Sequence, residues 1–411
     1  MRVNVPVVLV VITRNRDELI CVSNDKEDMM SDIIISNQKR NNNLDCISLW
    51  RDCFGDSERY MEYYFTHKTK DNLIYRLFAD NKMVSMLHMN PYEHSYFDEI
   101  KTLHYIVGVA TDENYRKRGY MRKLLEVALR EAYERREPLA YLMPAAPTIY
   151  EPHGFRYIYR QRRIRFLPLL KKVREESEFI MLPLLDWSQL SIEEKNKVCK
   201  HVNMKLKKEF NFYAIRDISY YDRLREEMTA AGGELLVYRN EKEYVGLISY
   251  MKEENQVEVT EIIVDSDDTD HLLGSFTNKL LQLFEGQQGS VTFLESHYWN
   301  ENILLKWGDI IDVYWKPIIM ARIVHLQEFF KNMRAEQRID RIIQISDPIL
   351  PQNNGTYRIV VDKTHAEMIR SNLDAEITMD IADFVIYCLG DIQKEESSDF
   401  LSYYSFLNEI V

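Results

Sequence analysis

The chain is poor in the features that mark several classes of protein. Its 411 residues include only 13 glycines and five cysteines, and the cysteines are scattered with no Cys-x-x-Cys pair. The scarcity of glycine excludes collagen-like repeats, and the scattered cysteines argue against a disulfide framework or a zinc site. A reducing cytoplasm is therefore the expected location.

Positive charge is in deficit, and long apolar runs are missing. The sequence has 53 Lys and Arg against 65 Asp and Glu, a formal net charge of −12. A surface of that sign repels phosphate backbones, so we expect no nucleic-acid partner. The apolar run near the start, Val5–Ile12, contains Pro6 and is too short to span a bilayer, so we expect no membrane partner either.

The spacing of apolar residues predicts one order of elements that occurs twice. Between residues 44 and 135 it indicates two helices, a hairpin turning at Asp80-Asn81-Lys82, a third strand over Leu103–Ala110 and a long helix from about Gly119. Residues 234–284 repeat the order of hairpin, strand, loop and helix. The sequence therefore predicts an internal duplication at the level of the fold.

The strongest chemical signal is a basic loop between a strand and a helix. The strand ends at Val109-Ala110-Thr111, and Arg116-Lys117-Arg118-Gly119 leads into the helix. Free backbone N–H groups, the positive end of the helix dipole and basic side chains then meet at one point, which is a cradle for pyrophosphate. The residues predicted to bind this ligand are Val109, Ala110, Thr111, Arg116, Lys117, Arg118, Gly119, Tyr120 and Met121.

The loop resembles the acetyl-CoA motif of the GNAT superfamily of N-acetyltransferases, Arg/Gln-x-x-Gly-x-Gly/Ala. It departs from the motif at Met121, which would narrow the cradle without removing it. Downstream, Ile149-Tyr150 and Gly154-Phe155 resemble the segment whose tyrosine stands beside the coenzyme sulfur. The resemblance implies that Tyr150 is the general acid that protonates the departing thiolate, with His153 as an alternative.

Residues 44–411 as a whole resemble the Eis (enhanced intracellular survival) acetyltransferase family. The likeness is carried by the duplicated order, the Lys316-Pro317 junction and the segment from Asp347 to Gly355. It implies an α+β protein with two tandem GNAT-type acetyltransferase-like domains followed by a sterol-carrier-like α/β domain. The predicted division is an N-terminal extension of unknown role (1–43), a catalytic domain (44–164), a degenerate acetyltransferase-like domain (165–316) and the sterol-carrier-like domain (317–411).

The same resemblance assigns a general base and an assembly state. In the Eis family the terminal carboxylate of the chain is the base, which here implies Val411, and a hexamer is expected. Asp56 and Glu409 are candidates for attracting the acceptor, although surface charge alone would also explain them. The second copy has the acidic loop Asp265–Asp270 in place of the basic one, so we expect no coenzyme A there.

These observations predict an acetyl-CoA-dependent N-acetyltransferase without a metal. The acidic balance of the chain favours a cationic acceptor such as an aminoglycoside, a polyamine or a lysine side chain. The alternative is a non-catalytic protein, either a coenzyme A sensor or a lipid carrier built on the third domain. Release of free thiol from acetyl-CoA on addition of an amine separates the two.

Overall fold

The computed structural model describes residues 10–12, 19–21, 33–37, 43–97, 99–169, 184–239, 243–284, 287–295, 301–390, 400 and 405–407. Within these ranges the chain forms one large sheet, a separate sheet of four strands, and helices packed on both. In this part of the chain no helix is both long and apolar enough to cross a membrane.

The first unit is a sheet with helices on its faces. Its elements are β1 (Val10–Ile12), β2 (Leu19–Cys21), β3 (Ile33–Ser36), α1 (Leu44–Phe54), α2 (Glu58–His67), β4 (Leu73–Ala79), β5 (Lys82–Tyr96), β6 (Glu99–Thr111), α3 (Tyr120–Glu134), β7 (Leu139–Leu142), α4 (Pro147–Tyr150) and β8 (Arg156–Pro168). The sheet begins before residue 44, because β3 pairs with β4 and Ile35 is buried in the core of this unit.

Local sequence explains how these elements start and stop. Gly55 ends α1 with a left-handed φ of 72°, and the Ser57 hydroxyl caps α2 by accepting the Tyr60 N–H at 3.2 Å. Asp80 and Asn81 both have positive φ, 53° and 62°. Two such residues suit a two-residue hairpin loop between right-twisted strands, which confirms the hairpin predicted there.

The second unit repeats this order. Its elements are β9 (Leu184–Asp186), α5 (Ile192–Glu209), β10 (Phe212–Ala214), α6 (Ile218–Ala230), β11 (Glu234–Arg239), β12 (Tyr244–Glu253), β13 (Gln256–Val264), α7 (Thr269–Leu283), β14 (Ser290–Glu295) and β15 (Gly308–Ile323). As in the first unit, two helices precede an antiparallel meander of three strands, and a helix then leads to a parallel strand.

Two long strands, β8 and β15, belong to both units. They pair with each other from Arg156 to Pro168 of β8, and the second half of β8 also pairs with β14. The far end of β15 pairs with β7 of the first unit over Met320–Ile323. The domain limits predicted after residues 164 and 316 thus fall inside continuous strands.

The third unit packs against the first. Its elements are α8 (Leu326–Phe330), β16 (Ile339–Ser346), β17 (Gly355–Val361), β18 (Ala366–Arg370), β19 (Ile377–Asp380), α9 (Ile381–Leu389) and β20 (Ser405–Phe406). The small sheet has the order β18-β17-β16-β19. A single apolar cluster joins Phe330 and Phe384 of this unit to Tyr105 and Tyr141 on β6 and β7. Burial of these aromatic side chains fixes the third unit on the sheet of the first.

The end of the chain returns to the first two units. Strand β20 runs parallel to β10, with Ser405 opposite Phe212, and β10 pairs in turn with the end of β5. Leu407 is fully buried in the cluster shared by the first and third units. The described part of the tail is therefore packed.

Candidate active site

The basic loop lies at the exposed start of α3. Among the described residues no side chain caps this helix, so the backbone N–H groups of its first turn are left for another acceptor. Lys117 and Gly119 have left-handed backbones, with φ of 64° and 74°, as in the backbone nests that bind anions. A Cβ on Gly119 would meet no atom of the described part of the chain within 4 Å. Open space beside uncapped N–H groups fits a phosphate.

The arginine side chains of the loop are exposed and partly tied to it. The Arg116 Nε donates to the Thr111 carbonyl at 3.2 Å, and the Arg118 Nη2 donates to the Asn114 carbonyl at 3.1 Å. The Arg118 guanidinium also lies 4.9 Å from the centre of the Tyr115 ring. Each guanidinium has five N–H donors, so these contacts orient the side chains and leave donors for an anionic ligand.

Strand β6 has a bulge just before the predicted ligand residues. His88 and Met86 of β5 face Val107 and Ala110 of β6, so Leu87 alone faces both Gly108 and Val109. Gly108 has a left-handed φ of 60°, and a Cβ there would lie 2.5 Å from Cζ3 of Trp50. The bulge therefore requires glycine, and it brings the Trp50 ring directly against the backbone.

The other edge of β6 is open beside the bulge. Parallel strands β6 and β7 pair at Tyr105 and Tyr141, and no later residue of β6 pairs with β7 among the described residues. The backbone of residues 107–111 is thus presented to a ligand that can pair with it as an added strand. The two amide groups of the pantetheine arm of coenzyme A can form such bonds, and the open edge leads towards the cradle at Gly119. The residues present therefore fit the coenzyme.

Tyr150 lies at the end of α4, in the same apolar cluster as Ile106 of β6 and Leu124 of α3. Its side chain is 9% exposed, and burial raises the pKa of Tyr150 to about 12. The phenol therefore keeps its proton at neutral pH and can donate it. Burial and the nearby Arg122 lower the pKa of His153, so this alternative acid is mostly neutral at the same pH.

The candidates for acceptor binding and for the general base are only partly described. The Asp56 carboxylate is exposed and accepts the Trp50 indole N–H at 2.8 Å, which places it beside the ring that covers the bulge. Glu409 and Val411 lie outside the described residues, so the structure does not test their predicted roles.

A cavity of about 310 Å³ lies between the first two units, on β5 and β6. Its charged lining residues are Lys68, Asp71, Glu93, Asp217, Arg223 and Glu227. The buried Glu227 carboxylate accepts the Tyr63 hydroxyl at 2.7 Å and the Lys68 ammonium at 3.2 Å. Burial lowers the pKa of Lys68, but Glu227 and Tyr92 together outweigh it and raise the pKa above its ordinary value, so the ammonium stays charged.

Sequence reasoning missed both Trp50 and the Lys68–Glu227 pair. Gly108, a glycine inside a strand pattern, is a signal for a bulge and could have directed attention to this part of the site. Glu227 and Lys68 are separated by 159 residues, and no local pattern connects them.

The acidic loop of the second unit makes contacts within its own unit. The Asp270 carboxylate accepts the Trp307 indole N–H at 3.0 Å, and Asp265 pairs with Lys205 of α5. These carboxylates lie at the start of α7, the position that corresponds to the basic loop at the start of α3. An anionic ligand at α7 would meet like charge.

Comparison with known families matches two segments of the chain. Residues 35–158 match the acetyltransferase (GNAT) domain, and residues 326–399 match the sterol carrier protein domain. The first match contains the bulge, the basic loop and Tyr150. No curated protein matches the chain significantly.

Several solved structures share the fold over most of the chain. A probable N-acyltransferase from Enterococcus faecalis V583 is 17% identical and covers 87% of this chain and 89% of its own, with a TM-score of 0.67. A GCN5-related N-acetyltransferase from Kribbella flavida is 13% identical over 89% of this chain and 90% of its own, with a TM-score of 0.69. Eis1 from Mycobacterium abscessus is 12% identical over 88% and 89%, with a TM-score of 0.57.

The predicted fold class is confirmed by these matches and by the structure. The chain is an α+β protein with a GNAT-like fold and a C-terminal sterol-carrier-like domain. A GNAT domain transfers an acyl group from an acetyl-CoA type of donor to an amine. With a GNAT acetyltransferase domain over residues 35–158, the chain is an N-acyltransferase.

Proposed function

We propose that the chain is an acetyl-CoA-dependent N-acetyltransferase of the Eis type that acts on a cationic amine. One arrangement carries the proposal, the uncapped basic start of α3 next to the open, bulged edge of β6. The first feature suits a pyrophosphate and the second suits a chain of amides, and coenzyme A contains both in that order.

Each residue of the proposed site has a distinct task. Backbone N–H groups of residues 109–111 hold the pantetheine arm and the thioester oxygen, while the loop 116–121 binds the pyrophosphate. Bound acetyl-CoA supplies the acetyl group as a thioester. The acceptor nitrogen forms the new C–N bond as the C–S bond breaks, Tyr150 gives its proton to the thiolate, and the Val411 carboxylate takes a proton from the amine.

The charge around the site supports a cationic acceptor. Four carboxylates line the cavity between the first two units against two cations, Lys68 and Arg223. Lys68 is paired with Glu227, and Arg223 forms a two-point ion pair with Asp71. The remaining negative charge suits a second positive group of a polyamine or an aminoglycoside. Asp56 and Glu409 are the further carboxylates proposed to attract the acceptor.

Further parts of the proposal come from the Eis resemblance. They are a hexameric assembly, a cytoplasmic location and coenzyme A binding in the first acetyltransferase-like domain alone. The rival function is a coenzyme A sensor or lipid carrier, which would bind its ligand without turnover.

Thiol release from acetyl-CoA tests the proposal. We expect release with spermidine, an aminoglycoside or a lysine peptide, and little with a neutral or acidic amine. Glu93→Gln should raise the KM for spermidine and leave the KM for acetyl-CoA unchanged, because Glu93 lines the cavity away from the cradle. Glu367→Gln, on an exposed part of β18, is the matched control. Tight acetyl-CoA binding with no release for any amine would support the carrier.

A further inference from the structure

A fully buried ion pair joins β15 to the third unit, next to the turn that follows Tyr150. Arg322 lies near the end of β15 and Asp347 follows β16, and both side chains are 0% exposed. Taking two charges out of water is costly, and such a pair is often no more stable than an apolar pair of similar volume. Stability alone therefore does not explain why the pair is buried here.

Asp347 is held from several sides. Its carboxylate accepts the backbone N–H groups of Ile349 and Leu350, both at 3.0 Å, and the Asn353 side-chain amide at 2.9 Å. Arg322 donates to the same carboxylate through Nη2. With these bonds the carboxylate has one fixed position, and it in turn fixes the guanidinium.

Arg322 connects this anchor to the proposed active site. Its Nε donates to the carbonyl of His153 at 2.7 Å, and its Nη1 donates to the Ile323 carbonyl at 2.8 Å. His153 ends the turn that begins directly after Tyr150, and the Phe155 N–H closes the turn on the Tyr150 carbonyl at 3.4 Å. The guanidinium thus holds the far end of the turn whose near end is Tyr150.

The turn also fits closely around the guanidinium. Gly154 has a left-handed φ of 87°, and a Cβ there would lie 3.1 Å from Nε of Arg322 and 3.1 Å from Cγ2 of Ile381. Ile381 is the first residue of α9, so an element of the third unit also packs on the same turn. The position of the turn is therefore set by contacts from β15 and from the third unit.

We propose that Arg322 and Asp347 are positioning residues that hold the turn after Tyr150, so that the phenol stays aimed at the thiolate. The sterol-carrier-like unit then serves the transfer reaction as a support for its acid. This inference rests on the proposed role of Tyr150. The role of Tyr150 then depends on Arg322 of β15 and on Asp347 of the third unit.

The test is a double-mutant cycle in the full chain. The pair variant, Arg322→Met with Asp347→Asn, removes both charges and keeps an oxygen for the Ile349 and Leu350 N–H groups. It is measured alone and combined with Tyr150→Phe. The control, Arg358→Met with Asp340→Asn, removes an exposed two-point ion pair between β16 and β17. A milder variant, Arg322→Lys, keeps the buried charge and removes the Nε donor to His153.

We expect the pair variant to lower kcat with spermidine and acetyl-CoA by up to about 10²-fold, with KM for acetyl-CoA changed less than about twofold. In the Tyr150→Phe background the same change should alter kcat less than about twofold, because the hydroxyl that the pair positions is already absent. Amide hydrogen exchange of residues 147–155 should speed up in the pair variant and in Arg322→Lys, and stay unchanged in the control.

Each failure has its own signature. Full turnover of Tyr150→Phe refutes the general acid and with it the proposed mechanism. If Tyr150→Phe lowers kcat, and the pair variant then lowers kcat by the same factor in the Tyr150→Phe background as in the wild type, the general acid stands. In that case only the positioning role is refuted. Unchanged hydrogen exchange of the turn in Arg322→Lys also refutes it, independently of any turnover and of whether the pair variant folds.

Discussion

Replacing Gly108 with Ala should destabilise the β-bulge, and two features of the structure give the size of the loss in the free energy of unfolding. The residue has a left-handed φ of 60°, which costs an L-amino acid about 1–2 kcal/mol. The new Cβ would also lie 2.5 Å from Cζ3 of Trp50, and overpacking of a core costs about 1–3 kcal/mol. We therefore expect Gly108→Ala to destabilise the first unit by about 2–5 kcal/mol.

Gly55 provides the matched control. It has a similar φ of 72°, but a Cβ there would meet no atom within 4 Å. Gly55→Ala should therefore cost only the backbone part, about 1–2 kcal/mol. In a Trp50→Leu background the excess cost at Gly108 should disappear, because the ring that the Cβ would strike is gone.

Hydrogen exchange of the β5 and β6 amides measures these local stabilities without assuming that the whole chain unfolds in one step. Calorimetry with acetyl-CoA on the same variants tests the site. Because the bulge shapes the open edge of β6, affinity should fall for Gly108→Ala and stay unchanged for Gly55→Ala. Equal losses of stability at the two glycines would refute the argument from the Trp50 contact.

The other predictions concern the acid, the cradle, the base and a buried histidine. Tyr150→Phe should lower kcat by about 10²–10⁴-fold with little change in acetyl-CoA affinity, and full activity would make the phenol structural. Arg116→Glu with Arg118→Glu should weaken acetyl-CoA binding in calorimetry by about tenfold or more per lost contact, whereas Arg341→Glu, exposed on β16, should not. Residues added after Val411 should reduce turnover by about 10²–10⁴-fold while acetyl-CoA still binds, whereas Val411→Ala should stay active. Burial and the nearby Arg76 lower the pKa of His88 to about 3 in the folded chain. As pH falls below about 6.5, His88 is therefore protonated in the unfolded chain but not in the folded chain, which favours unfolding. Urea unfolding should show about 1.4 kcal/mol of stability lost per pH unit between about 6.5 and 3 from this residue, and His88→Gln should lack that part.

Features that depend on a few neighbouring residues could be read from the sequence. The helix stop at Gly55 and the hairpin at Asp80-Asn81 follow from backbone preferences of single residues. The loop before α3 is equally local, because a basic run, a glycine and a helix start lie within a few residues. The order of elements in both units was predicted for the same reason, since the apolar period of a helix or strand is a property of the segment itself.

Boundaries and long-range contacts could not be read in this way. The sequence suggests breaks near residues 164 and 316, yet β8 and β15 run through both positions, because pairing between strands is decided by partners elsewhere in the chain. A register or a shared strand leaves no mark on local composition.

The sequence by itself determined the kind of protein, since its loop, its tyrosine segment and its duplicated pattern were enough to indicate an acetyltransferase. Only the tertiary structure decided which residues surround that chemistry. Three contacts show this: Trp50 packs against Gly108 at the bulge, Lys68 pairs with Glu227, and Arg322 bonds to both His153 and Asp347. The residues in contact are separated by 25 to 169 positions in the chain. Such contacts arise from the packing of whole units, and their energy depends on burial, which a linear pattern does not contain.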